Sequence, residues 1–183
     1  MPPIRKFKRE DIIDTAYNIV KDEGFESINA RRIAKEMGCS IQPIFHNFAT
    51  MEELYKAKYD KISDKCREYM FRDTDKEMAY KHMGLGYILF AKDFPEFFKA
   101  IFMQKTDLDA ESFIMSDFIA DDIIKVGQSF TGYDYEEQKK FHVKVWIFTH
   151  GIACLLATRT VKFTDEEIEE LLVSTVDAML KSK

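Results

Sequence analysis

The chain has 183 residues, a formal net charge of −5 and 46% apolar residues, including 16 Phe, which is ample material for a buried core. Seven Gly and four Pro leave too few turns for an all-β fold, and no run of 18 uncharged apolar residues is present to span a membrane. Cys39, Cys66 and Cys154 are scattered, without CxxC or Cys/His ligand spacing, which predicts free thiols in a reducing cytoplasm and no metal site.

The opening MPPIRKFKRED is basic and lacks the apolar stretch of a secretory signal. Arg5, Lys6, Lys8 and Arg9 form an arm that reads equally as a solvated tail or as a phosphate-binding segment. The charge is unevenly spread: residues 1–67 carry a balance of +2 and residues 68–183 one of −7. Ile12, Ala16, Ile19 and Val20 then stripe a helix over 8–24, ended by Gly24.

A short helix over 30–37 follows the N-cap Asn29, with Ile33, Ala34 and Met37 on one side and Arg31 and Lys35 on the other. Gly38 breaks it. Ser40 is expected to cap the next helix, over 41–47, by accepting from the Gln42 N–H, since Pro43 has none to offer. In that helix Ile41, Ile44 and Phe48 share a stripe, while Gln42 and His46 point away from it, flanked by Pro43 and Phe45. Two short helices around a glycine turn, the second with a polar exposed face, predict a helix-turn-helix whose second helix enters the DNA major groove. Gln42 suits an adenine edge, where an amide can pair twice.

Beyond it, helices are expected over 50–71, 75–92, 95–104, 108–130, 134–159 and 165–181. Thr50/Glu53, Thr74/Glu77, Asp134/Glu137 and Thr164/Glu167 supply the start signals. The chain therefore reads as all-α, with about nine helices. Residues 1–50 form a DNA-binding domain and residues 51–183 a larger helical domain, linked by the helix from about residue 50.

In the larger domain Phe141, Val145, Phe148, Ile152 and Leu155 repeat at helix-packing spacing, as do Ile168, Leu172 and Met179. Each pattern alone suits an intrachain core; together their width favours a dimeric four-helix bundle. Phe90, Phe94, Phe97, Phe98, Phe102 and Met103 gather around Pro95, either as ordinary core or as the lining of a pocket for an apolar or aromatic small molecule. His46, His82, His142 and His150 show no metal-binding or catalytic spacing, and no phosphate loop or nucleophile elbow is present. No catalytic residue and no cofactor are expected, and His142 and His150 read as satisfied polar groups inside the bundle.

Residues 9–62 resemble the DNA-binding domain of tetracycline-repressor (TetR) family regulators, through EGF at 23–25, RRIAKEMGCS at 31–40, IFHNF at 44–48 and TMEEL at 50–54. WIFTHG at 146–151 is similar to a Trp-x-x-x-His-Gly signature of some C-terminal domains in that family. The resemblance implies a cytoplasmic homodimer that binds a double-stranded DNA operator and whose C-terminal domain dimerises and binds a small-molecule inducer. The DNA-facing set is then Arg31, Lys35, Ser40, Ile41, Gln42, Pro43, Phe45 and His46, with His46 at a phosphate-contacting position of the family. Phe45 stands where the family often has Tyr, and Met51 where it commonly has Lys; both departures remove phosphate contacts rather than base reading. The alternative is a DNA-binding architectural protein without a small ligand, against which the acidic C-terminal part argues.

Overall fold

The structure, a computed structural model, describes residues 7–72, 78–115 and 120–181, and the regular elements among them are all helical. In chain order they are α1 (Arg9–Glu23), α2 (Ala30–Met37), α3 (Gln42–Asn47), α4 (Met51–Met70), α5 (Ala79–Asp93), α6 (Pro95–Phe102), α7 (Ala110–Met115), α8 (Ala120–Thr131), α9 (Tyr135–Ala157) and α10 (Asp165–Lys181). A single 3-10 turn, Phe25–Ser27, follows α1.

Three start signals act as the sequence suggests. The Thr50 hydroxyl accepts from the Glu53 N–H at 3.2 Å while the Glu53 carboxylate accepts from the Ala49 N–H at 2.8 Å. Thr164 and Glu167 form a fully reciprocal pair, each side chain accepting from the other's backbone N–H, and Asp134 accepts from the Glu137 N–H. Thr74/Glu77, Arg5 and Lys6 lie outside the described residues, and the helix expected over 75–92 is described from Ala79. Of the helix expected over 108–130, Ala110–Met115 and Ala120–Thr131 are described as helical, and 116–119 lie outside the described residues. Asp109 starts α7 by accepting from the Ser112 N–H at 3.0 Å, so the helix cannot begin before it.

The chain divides into two units. The first comprises Met1–Asp64 with Glu96–Gln104, and the second Lys65–Pro95 with Lys105–Lys183. In the first, Ile12, Ala16 and Val20 of α1, Ile33 of α2, Ile44 of α3 and Leu54 of α4 are fully or almost fully buried. Phe97 and Phe98 of α6 join that core, with the Phe97 ring 4.5 Å from that of Tyr17. In the second, α5 is central and packs on α8, α9 and α10. Tyr80, Met83, Tyr87 and Ile88 of α5, Ile124 of α8, Val145, Ile152 and Leu156 of α9, and Leu172 and Val176 of α10 are all buried in this unit.

Within the second unit α5 meets the end of α4 so closely that a Cβ at Gly86 would run into the backbone carbonyl of Tyr69. A backbone obstacle cannot swing aside as a side chain can. Gly86→Ala is therefore expected to destabilise the fold by about 1–3 kcal/mol, read as a lower melting temperature. A wild-type melting curve for this variant would contradict the packing described.

Candidate nucleic-acid interface

The geometry of the α2–α3 pair follows from local chemistry. The Asn29 side chain accepts from the Arg32 N–H at 2.9 Å and starts α2. Gly38 ends it in the left-handed region (φ 64°, ψ 39°), where its N–H reaches the Lys35 carbonyl and the Cys39 N–H the Ala34 carbonyl at 2.9 Å. Helix α3 starts one residue later than the sequence suggests. Ile41, not Ser40, is the N-cap, and no side chain caps it. The Ile41 carbonyl instead accepts from both the Ile44 and Phe45 N–H groups, at 3.2 and 3.3 Å. With Pro43 lacking an N–H, Gln42 is left as the orphan donor of that turn, at the end that faces outward.

Ile44 and Phe48 are buried at 0% and 1% exposure, which forces the remaining positions of a six-residue helix outward. Gln42, Phe45 and His46 are exposed, Ser40 and Ile41 likewise, and Pro43 is half-buried. Phe45, 46% exposed, is a large apolar ring turned to solvent on this face. From α2, Arg31 and Lys35 are exposed and carry no ion pair among the described residues. Their neighbour Arg32 is held by Glu23 at 2.5 Å and Glu36 at 2.6 Å, and that pairing pulls the Glu23 carboxyl below its usual range. Two neighbouring arginines thus differ: Arg31 is available to a phosphate and Arg32 is occupied.

Arg9, read from the sequence as part of a basic arm, is a structural clamp. Its guanidinium donates to the Asn47 carbonyl at 2.7 Å, pairs with Glu53 at 2.9 Å and lies 4.0 Å over the Phe48 ring. It ties the end of α3 to the start of α4 and so fixes the angle at which the exposed face is offered. Nothing short-range in the sequence marked this role, since its partners lie 38 residues and more away.

The second unit holds a partly enclosed cavity with about 390 Å³ of empty space, counting its mouth. Met70, Tyr80, Met83, Gly84 and Tyr87 line one side, and Ile123, His142, Val145, Trp146 and Thr149 the other. None of the six positions gathered around Pro95 is among them. Phe90 is buried in the second unit with its ring 5.9 Å from that of Phe94, whereas Phe97, Phe98 and Phe102 belong to the first, with Phe98 against Phe102 at 5.2 Å; Met103 is 40% exposed. The missed signal was the spacing of Tyr80, Met83 and Tyr87 on α5, matched by His142, Val145, Trp146 and Thr149 on α9.

The apolar seam of the last two helices also divides by face. Phe141, Val145, Ile152, Ile168 and Leu172 are buried within this chain's own bundle. Phe148 and Met179 are half-buried, and Leu155 is exposed. Ile147, at 56% exposure, and Leu171, at 37%, were not singled out by the repeat because they lie one helical face over.

Two short helices around a left-handed glycine, the second presenting a polar N-terminal face and followed by a long capped helix, define a helix-turn-helix protein. Residues 12–57 match the family described as "Bacterial regulatory proteins, tetR family". It is 31% identical over 70 residues to the HTH-type transcriptional regulator PksA of Bacillus subtilis (strain 168), a match covering 36% of this chain and 34%, about a third, of that relative's length. Among solved structures, a TetR-like transcriptional regulator from Rhodococcus sp. RHA1 superimposes with a TM-score of 0.70 at 15% identity, over 99% of this chain and 100% of that one. A second transcriptional regulator from the same organism gives 0.68 at 16% identity, over 96% and 97%. At such identities the two structures share the fold.

Two measurements follow from this geometry. Gln42→Ala is expected to cost about 1–3 kcal/mol on a preferred DNA site and relax selectivity at one base pair per half-site. Arg31→Ala should weaken all sequences alike and flatten the salt dependence; equal effects of both changes on preferred and random DNA would contradict the face described. In the cavity, burial pushes His142 down to about 4 from its ordinary 6.5. The unfolded chain then binds more protons between those values, so this residue's contribution to stability is complete above about pH 6.5 and is lost as pH falls toward 4. The melting temperature of wild type should drop more steeply across that window than that of His142→Phe, and parallel curves would contradict the buried, neutral imidazole.

Proposed function

We propose that this chain is a homodimeric, sequence-specific transcription regulator. It binds a double-stranded DNA operator through α3 and acts in the cytoplasm as a repressor released by a small apolar or aromatic effector. The observation that carries the reading is the exposed face of Gln42, Phe45 and His46, together with Arg31 and Lys35, which are exposed and carry no ion pair among the described residues. Gln42 meets base edges, Phe45 and Pro43 lie against thymine methyl or sugar, and Arg31, Lys35 and His46 hold phosphates. Among the described residues no helix is long and apolar enough to cross a membrane. The protein's work is binding rather than chemistry.

A dimer is supported by the outer face of α9 and α10. Ile147, Gly151 and Leu155 recur every four residues along α9, with Leu171 exposed on α10. Gly151 has nothing within 4 Å of where a Cβ would stand, so a partner helix can approach there closely. Leu155→Glu places a charge on that face while leaving the chain's own core alone, and should yield a folded monomer in sedimentation with operator binding lost. A variant that stays dimeric would move the interface elsewhere.

Release requires an effector with different affinity for two conformers. Helix α4 is one helix with residues in both units, and its Met70 lines the cavity. A ligand beside Met70 therefore has a covalent path to the residues that carry α3.

Selection of bound sequences from a random DNA pool tests the function. The expected product is an inverted repeat with half-site centres one helical turn, about 34–36 Å, or a multiple of it apart. A pool with no enriched motif would overturn sequence-specific regulation.

A further inference from the structure

The cavity of the second unit carries a buried polar pair, Tyr80 and His142, among its mostly apolar walls. His142 is 5% exposed and lines the cavity, and its Nδ1 lies 3.1 Å from the Tyr80 hydroxyl. The Tyr80 proton has no other acceptor among the described residues, and leaving it unused in a buried site is costly. The hydroxyl therefore donates to Nδ1, which puts the single proton of the neutral imidazole on Nε2. No described residue accepts from that Nε2–H, and it is not sealed off among the buried unpartnered atoms, as the Ser63 hydroxyl and the Gln138 amide nitrogen are. The Thr149 hydroxyl is occupied by the Val145 carbonyl at 2.7 Å, and the Tyr87 hydroxyl faces His150 at 2.9 Å.

The remaining lining decides the charge of the ligand. Met70, Met83, Ile123 and Val145, with the rings of Tyr80, Tyr87 and Trp146, supply apolar surface, and no Asp, Glu, Lys or Arg is among the lining residues. An anion would lose its hydration with no cation to replace it, and a cation would meet the imidazole N–H rather than an acceptor. We infer that the cavity selects an uncharged aromatic molecule bearing one hydrogen-bond acceptor, such as a carbonyl or ether oxygen, and that His142, with its proton placed by Tyr80, is the residue that recognises that acceptor. This rests on the reading of the cavity as the effector site and adds to it the ligand's chemical class. The buried imidazole's low proton affinity, with its pKa near 4, agrees with a neutral donor at physiological pH.

Four probes of one shape separate the possibilities: acetophenone, its acceptor-free analogue isopropylbenzene, the anion benzoate and the cation phenyltrimethylammonium. Binding is followed by calorimetry and by the fluorescence of Trp146, the only tryptophan in the chain and part of the cavity wall. Wild type should bind acceptor-bearing acetophenone about fivefold or more tightly than isopropylbenzene, and both charged probes more weakly still. His142→Phe keeps a ring but no donor and should bring acetophenone and isopropylbenzene to equal affinity. His142→Gln places an amide N–H near the position of Nε2 and should retain the preference, which a merely structural histidine would not predict. A preference that survives in His142→Phe, a charged probe binding most tightly, or no binding by any probe each overturns the inference. Binding of the selected DNA site by the same wild-type preparation is measured alongside. If it is retained while the probe preference fails, the ligand class alone is wrong; if it is absent, the regulator reading fails instead.

Discussion

A helix of six residues cannot hold itself in water, because nucleating one hydrogen-bonded turn costs more than so few bonds return. The existence and direction of α3 therefore depend on burying Ile44 and Phe48 and on the clamp that Arg9 makes around Phe48, Asn47 and Glu53. Everything proposed for DNA recognition rests on that constraint. Once Ile44 and the C-cap Phe48 are inside, the helix geometry leaves Gln42, Phe45 and His46 outside, and the left-handed turn at Gly38 sets Arg31 and Lys35 free of the same core. Precision in the reading face thus comes from apolar packing behind it, not from the polar residues that would touch DNA.

The second unit solves a different problem. A bundle built around α5 from large aromatic and Met side chains packs tightly at Gly86 and Gly84 yet leaves space between α5 and α9. Where Leu172 approaches Gly84 to 3.3 Å of a notional Cβ, the helices close together; toward Tyr80, His142 and Trp146 they do not fill the gap. A polar pair, Tyr80 and His142, lines that mostly apolar space, and the preference proposed for it rests on the His142 N–H.

The sequence made the helix-turn-helix legible because every signal it needs is local. Asn29, Gly38, the Ile33/Ala34 and Ile44/Phe48 spacing, and the Thr50/Glu53 cap all act within a few residues of one another. Ile41 rather than Ser40 takes the cap position because the backbone geometry around Pro43, which residue types do not encode, makes that choice. The cavity was illegible for the opposite reason. Phe97 is core because Tyr17, 80 positions earlier, covers it, and His142 lines a cavity with Tyr80, 62 positions away; periodicity names the apolar face of a helix but not what meets it. The α9 seam shows the same limit: Val145 and Ile152 face the core and Ile147 and Leu155 do not, although all four are equally apolar.

The central claim is that the exposed face of α3 lies in the DNA major groove. Phe45, a ring already turned to solvent there, can be replaced by a benzophenone-bearing phenylalanine and irradiated on the selected DNA site. The account predicts crosslinks at base positions in the major groove of both half-sites, about one helical turn or a multiple of it apart. Crosslinks confined to the minor groove or distributed without register, from a protein that still binds the site, would contradict it.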